Sequence, residues 1–245
     1  MKFFCPPSSA LRPQIIAHRG ASGYAPENTM AAFRRALELG ADAIELDVVQ
    51  SRDGELMVIH DETPRRTTRT RGRVDDFTAD NLKQLDAGSW FAPEFRGERI
   101  PTLREVLAWV RGKTQVWIEI KSANPNLVLK TIREEKMLDH VVVFSLKLDV
   151  MESLINAPVD RSLVFPRYTR RIPTIRQLCD LADALNLTSV APHYSLVTKR
   201  FVEQLHKENL GVAVWTANRK LTIRRLIRAD ADAIITNYPD RVRKI

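Results

Sequence analysis

Residues 15–61, IIAHRGASGYAPENTMAAFRRALELGADAIELDVVQSRDGELMVIHD, occupy less than a fifth of the chain and read as strand, helix, strand and returning strand. Residues 14–17 are a short apolar run that ends in His18-Arg19-Gly20. In residues 29–39, Met30, Phe33 and Leu37 recur at helical spacing among alanines and leave Arg34, Arg35 and Glu38 for the outside, with Asn28 as the expected cap and Gly40 as the stop. Residues 43–49, AIELDVV, are aliphatic and bounded by turn-forming residues, which predicts a buried strand. After Asp53-Gly54, residues 56–60 are expected to fold back beside that strand as a hairpin.

Working outward, the same rhythm continues to the end of the chain. Helices are predicted at 102–110, 126–136, 148–155, 172–185, 198–208 and 219–228, and strands at 115–120, 140–144, 162–165, 189–191, 212–215 and 233–236. With the strands near residues 15 and 43 this makes eight, the hairpin strand aside. Eight strands alternating with helices over 245 residues predict an α/β protein built as a single (β/α)8 TIM barrel, residues 1–245. Residues 61–99 break the rhythm with an arginine-rich piece (Arg65, Arg66, Arg69, Arg71, Arg73), a short helix candidate at 78–85 and Trp90-Phe91. Long loops in compact domains tend to be lids or binding loops, so this insertion is expected to cover the barrel mouth.

Glu45 and Asp47 are two apart in a strand, so both point to one face. Two buried carboxylates repel each other and need a partner cation, a metal ion or a basic side chain. VWIEIK at 116–121 repeats the arrangement with Glu119 and Lys121. Charges at the C-terminal ends of parallel barrel strands share the face on which such folds place active sites. Ligation by carboxylates alone favours Mg2+, Ca2+ or Mn2+ over zinc.

Composition narrows the class less. A hydrophobic content of 44% and charged content of 28% are those of an ordinary globular protein. The net charge of +8 attracts anions, whether phosphorylated small molecules, nucleic acid or lipid head groups. The apolar patch at residues 3–5 is cut off by Pro6-Pro7, too short for a signal-peptide core, and no later run reaches a membrane span. Cys5 and Cys179 lack metal-ligand spacing and are expected to be free thiols of a cytoplasmic protein.

Taken together in order, AHRG at 17–20, APENT at 25–29, IELDV at 44–48, DGELMVIHD at 53–61, RTT at 66–68, IPTLREVL at 100–107, IEIK at 118–121, VWTAN at 214–218 and ADAIITNYPD at 231–240 resemble the glycerophosphodiester phosphodiesterase family. The resemblance runs from residue 14 onward and implies metal-dependent hydrolysis of glycerophosphodiesters to sn-glycerol 3-phosphate and an alcohol. It implies His18 and His60 as general acid and base, Glu45, Asp47 and Glu119 as ligands of one divalent cation, Arg19 and Lys121 on the phosphate, and Trp215 on the pocket wall. The family's frequent Ser-Phe after the fourth strand is Ser145-Leu146 here, a change expected to reshape that wall.

Such chemistry must neutralise charge on phosphorus and move two protons, for which a cation, a guanidinium and two imidazoles are suited. His140, His193 and His206 are read as structural, Glu27 and Asn28 as helix-capping, Asp61 as a structural hydrogen-bonding residue pointing away from His60, and the arginine run as a solvated loop. The nearest alternative is a lysophospholipase D-like enzyme with an acyl groove around Trp90, Phe91 and Leu146. A non-catalytic nucleic-acid binder leaves the three carboxylates unexplained, so the expected partner is a small-molecule substrate, with neither nucleic acid nor stable membrane insertion.

Overall fold

The computed structural model describes residues 12–166 and 174–245. Cys5 and the first residues of the helix predicted at 172–185 lie outside them. Nine strands are seen among the described residues: β1 (Gln14–Ala17), β2 (Ala43–Gln50), β3 (Leu56–Val58), β4 (Gln115–Ser122), β5 (Val141–Ser145), β6 (Asp160–Phe165), β7 (Ser189–Pro192), β8 (Gly211–Val214) and β9 (Ala233–Thr236). Around them lie α1 (Met30–Glu38), α2 (Arg65–Thr68), α3 (Ala79–Gln84), α4 (Leu103–Val110), α5 (Pro125–Glu134), α6 (Leu148–Ser153), α7 (Ile175–Ala184), α8 (Lys199–Lys207), α9 (Lys220–Arg228) and α10 (Pro239–Arg243).

Every strand except β3 runs parallel to its neighbours, and β1 pairs with β9 on one side and β2 on the other, which closes an eight-stranded (β/α)8 barrel. Each strand divides its side chains by alternation. Ile15, Ile44, Leu46, Ile118, Val143, Leu163 and Val212 face outward into the main core, against the helices. Ile16, Ala43, Trp117, Val142, Phe144, Val164, Ala191, Ala213, Ala233 and Ile235 fill the lumen, where the alanines make room for the edge-to-face pair Trp117–Phe144 at 5.6 Å.

Followed two residues further along each strand, the lumen face changes character. Ile16 leads to His18, Ala43 to Glu45 and Asp47, Trp117 to Glu119 and Lys121, and Ile235 to Asn237. An apolar plug therefore supports a charged floor at the C-terminal end of the barrel.

Three local expectations need correction. Thr29, not Asn28, caps α1, its side chain accepting from the Ala32 N–H at 3.3 Å, while Asn28 sits at φ 56°. The returning strand ends at Val58 rather than residue 60: Ile59 N–H still bonds to the Asp47 carbonyl at 3.0 Å, and the chain bends at His60. His60 and Asp61 therefore lie in a turn, where strand alternation no longer sends their side chains apart. The segment 61–99 does fold outside the barrel rhythm, as α2, α3 and two single 3-10 turns around its own small core of Val74, Leu82 and Ala87.

Candidate active site

Glu45, Asp47 and Glu119 converge at the floor of the barrel mouth. Asp47 and Glu119 are register partners on adjacent strands, and a ligand oxygen from each of the three carboxylates lies within 4.8 Å of the others. A single ion with metal–oxygen distances of ~2.0–2.6 Å spans that separation.

The surrounding hydrogen bonds satisfy each carboxylate on one side only. Glu45 Oε2 accepts the backbone N–H of Arg19 at 2.6 Å, which the φ of 53° at Arg19 turns toward it. Asp47 Oδ2 accepts from Asn28 Nδ2 at 2.9 Å and lies 3.1 Å from Arg19 Nε. Lys121 Nζ donates to Glu119 Oε1 at 2.8 Å and approaches Asp47 Oδ1 at 3.7 Å. Glu45 Oε1 and Asp47 Oδ1 remain buried without a hydrogen-bond donor. Two orphaned anionic oxygens facing a third carboxylate are an all-oxygen donor set for a hard divalent cation.

The titration pattern gives the same picture. Burial pushes Glu45 well above the usual carboxylate range, reinforced by Asp47 and Glu119. Burial and then Asp47 push Glu119 up to about 7. Burial also opposes ionisation of Asp47, but Arg19, His60, Lys121 and the Asn28 amide outweigh it and hold Asp47 below its ordinary value. Protein cations thus cover part of the negative charge, and the carboxylates answer the remainder by holding on to protons.

The two histidines flank this floor and have different partners. His18 Nδ1 is 2.8 Å from Asn237 Oδ1, and burial followed by the Arg19 charge lowers it to about 4. Asn218 holds that asparagine in turn, its Oδ1 accepting from the Asn237 N–H at 2.9 Å. His60 Nδ1 is 2.6 Å from Asp61 Oδ1; burial lowers its pKa, while Asp47 and Asp61 oppose the shift. A carboxylate on Nδ1 fixes the tautomer and supports the imidazolium, whereas the His18 environment favours the neutral ring.

Above the carboxylates lies a cavity of about 280 Å3 that reaches His18, Arg19, His60 and Lys121 and has an apolar wall of Phe144, Leu146, Val164, Trp215 and Ile235. Trp215 is held by its Nε1–H bond to the Ala191 carbonyl at 2.7 Å. All eight side chains singled out in the sequence meet at this mouth.

Of the residues expected around an acyl groove, Leu146 lines the cavity, whereas Trp90 and Phe91 are not in its lining; the Phe91 ring meets those of Trp90 and Phe95 edge to face within the insertion. His206 is a structural residue, paired with Asp232 at 2.8 Å. The capping role expected of Glu27 is also replaced: it accepts from Arg19 and from Arg66, whose Nε donates to Asp61 at 2.7 Å.

The profile of the glycerophosphoryl diester phosphodiesterase family matches residues 18–241, which takes in β2 to β9 and every residue of the mouth. The chain belongs to this family. A glycerophosphodiester phosphodiesterase of Caldanaerobacter subterraneus subsp. tengcongensis is 41% identical over 92% of this chain and 94% of its own. A crystal structure of a glycerophosphodiester phosphodiesterase from Agrobacterium tumefaciens superposes with TM-score 0.85 at 31% identity, covering 95% of this chain and all of the other. A phosphodiesterase of Oleispira antarctica, solved in complex with the product sn-glycerol-3-phosphate, has TM-score 0.82 at 29% identity over 95% of this chain and 96% of its own. Membership makes the chain a phosphoric diester hydrolase of the glycerophosphodiester phosphodiesterase family, with a carboxylate triad suited to a divalent cation.

Proposed function

We propose that the protein hydrolyses glycerophosphodiesters to sn-glycerol 3-phosphate and a free alcohol, with one divalent cation, Mg2+, Ca2+ or Mn2+, held by Glu45, Asp47 and Glu119. The observation that carries this reading is the convergence of three buried carboxylates, two of them with orphaned oxygens, between two histidines and two phosphate-seeking cations. When bound, the cation supplies charge neutralisation and polarises a phosphoryl oxygen.

The chain's own residues do the rest. Arg19 and Lys121 orient the phosphate and balance the charge that develops on its equatorial oxygens. His18, neutral beside Arg19, takes the proton of the attacking hydroxyl, which is either a water or the substrate's own glycerol 2-hydroxyl; in the second case a cyclic phosphate forms and a water then opens it to glycerol 3-phosphate. His60, with Asp61 behind it, gives a proton to the departing alkoxide as the phosphorus–oxygen bond breaks. Phe144 and Trp215 bear on the carbon skeleton of the arm in the apolar cavity.

A second, polar cleft of about 710 Å3 meets the first at Lys121 and includes Arg52, Lys147 and Asp149. Two clefts meeting at one phosphate-binding lysine suit a diester with two alcohol arms. We further read residues 1–245 as one domain, with residues 61–99 as the cover of the mouth.

The test is release of glycerol 3-phosphate from glycerophosphocholine by chelator-stripped protein, with Mg2+, Ca2+ or Mn2+ returned and Glu119→Ala as control. Cation-dependent release that the substitution abolishes is expected. Folded protein that releases nothing with any of the three ions would refute the reading.

A further inference from the structure

We propose that Arg66, carried by the insertion rather than by the barrel, is a positioning residue that locks His60 and Arg19 into one rigid frame. The proposal rests on the phosphodiesterase reading of the mouth and adds to it a residue that need not touch the substrate.

The guanidinium spends its donors on two carboxylates at once. Nε donates to Asp61 Oδ2 at 2.7 Å, while Nη1 and Nη2 each donate to Glu27 at 2.7 Å, one to either oxygen. Both carboxylates pass the constraint on. The other oxygen of Asp61 takes His60 Nδ1 at 2.6 Å, and Glu27 Oε1 also accepts Arg19 Nη1 at 2.9 Å. Arg19 in turn stands 3.1 Å from Asp47. The result is an unbroken series, His60–Asp61–Arg66–Glu27–Arg19–Asp47, that joins one histidine to the carboxylate floor.

Its neighbours in the arginine run behave differently. Arg73 pairs with Glu62 and Asp75 and so stays within the insertion. Arg66 instead reaches across to Glu27 in the loop before α1. Glu27 is largely buried while Arg66 is partly exposed, at 12% and 43% of their side-chain areas, so the arginine closes the frame from the solvent side. A planar fork can hold two carboxylates at fixed angles, and a lysine, as a single point charge, cannot.

Without Arg66, Asp61 is free to turn and the His60 tautomer is no longer imposed. Glu27 then draws on Arg19 alone and pulls the guanidinium away from the cavity. Partners of this kind typically contribute ~10- to 100-fold to activity.

The experiment compares wild type, Arg66→Ala and Arg66→Lys, each loaded with Mg2+, for kcat and KM on glycerophosphocholine, for thermal unfolding, and for 15N imidazole shifts of His60. Expected are a kcat lower by ~10- to 100-fold in Arg66→Ala, a smaller change in KM, and unfolding close to wild type. Free guanidinium should restore several-fold of the lost rate, Arg66→Lys should resemble Arg66→Ala, and the His60 signal should change from one Nδ1–H tautomer to a mixture. A kcat within about twofold of wild type, no rescue of folded protein by guanidinium, or an unchanged His60 tautomer would overturn the proposal. Inactivity of the wild type would refute the functional reading instead, while the imidazole shifts would still decide the role of Arg66.

Discussion

Replacing Gly20 by alanine is expected to destabilise the protein by more than any other single-methyl addition in the His-Arg-Gly turn. Gly20 has φ +77°, and a Cβ there would lie 2.6 Å from the Ala32 carbonyl carbon, 2.7 Å from Ala32 Cβ and 2.8 Å from Ala32 O. The left-handed conformation costs an alanine ~1–2 kcal/mol, and overpacking against backbone that cannot swing aside adds ~1–3 kcal/mol. Reduced freedom of the unfolded chain returns ~0.4–1 kcal/mol, leaving a net loss of about 1–5 kcal/mol. For a chain of this length that corresponds to a fall in Tm of ~2–20 °C. Gly54→Ala is the matched control, since its φ of +90° is equally unfavourable but the nearest atom is Gln50 Nε2 at 3.7 Å. Urea and thermal melts of both variants separate the packing cost from the conformational one. Equal losses in the two, or a Gly20→Ala protein within ~0.5 kcal/mol of wild type, would refute the argument. Activity should fall as well, because the turn aims the Arg19 N–H at Glu45.

Asn237→Ala removes the partner of His18 Nδ1 without touching the carboxylates, so kcat should fall by ~10-fold or more while unfolding barely moves; steady-state kinetics at unchanged KM checks this. With Glu45, Asp47 and Glu119 as ligands, saturation with Mg2+ or Ca2+ to 100 times its dissociation constant should stabilise the fold by about 2.7 kcal/mol over chelated protein, and identical melts would refute the ligand assignment. Asp86, which accepts from Ser89 Oγ and from the Gly88, Ser89 and Gly97 N–H groups, is held well below its ordinary value by those bonds. Its contribution is complete above the ordinary carboxylate value of 3.8 and fades as pH falls through its depressed one, so Asp86→Asn should flatten the acid limb of stability against pH; superimposable limbs would contradict it.

The sequence carried the barrel and the charged floor because both follow from alternation. Glu45 with Asp47, and Glu119 with Lys121, are legible as same-face pairs in runs too apolar to hold charge casually. Asn237 obeys the same rule, two residues beyond Ile235, but an uncharged amide in a turn has no anomaly to betray it. Asn28 and Thr29 are both good caps, and only the need of buried Asp47 for a donor decides that the asparagine turns inward. The hairpin strand is shorter than its apolar run because the chain bends at His60, after Ile59 has made its bond to the Asp47 carbonyl. Glu27 and Arg66 stand 39 residues apart in irregular segments, where no periodicity links them.

The closure of β1 on β9 also sets a clock on synthesis. The three carboxylates and His60 are made by the time Lys121 is, whereas Asn237 follows Lys121 by roughly 120 residues. At ~5–20 residues per second this is a delay of ~6–24 s. During it a nascent chain owns its acidic cluster but neither the last barrel strand nor the group that orients His18. Turnover is therefore expected only once the barrel has closed, and chains truncated before Asn237 are expected to be inactive however much of the acidic cluster they carry.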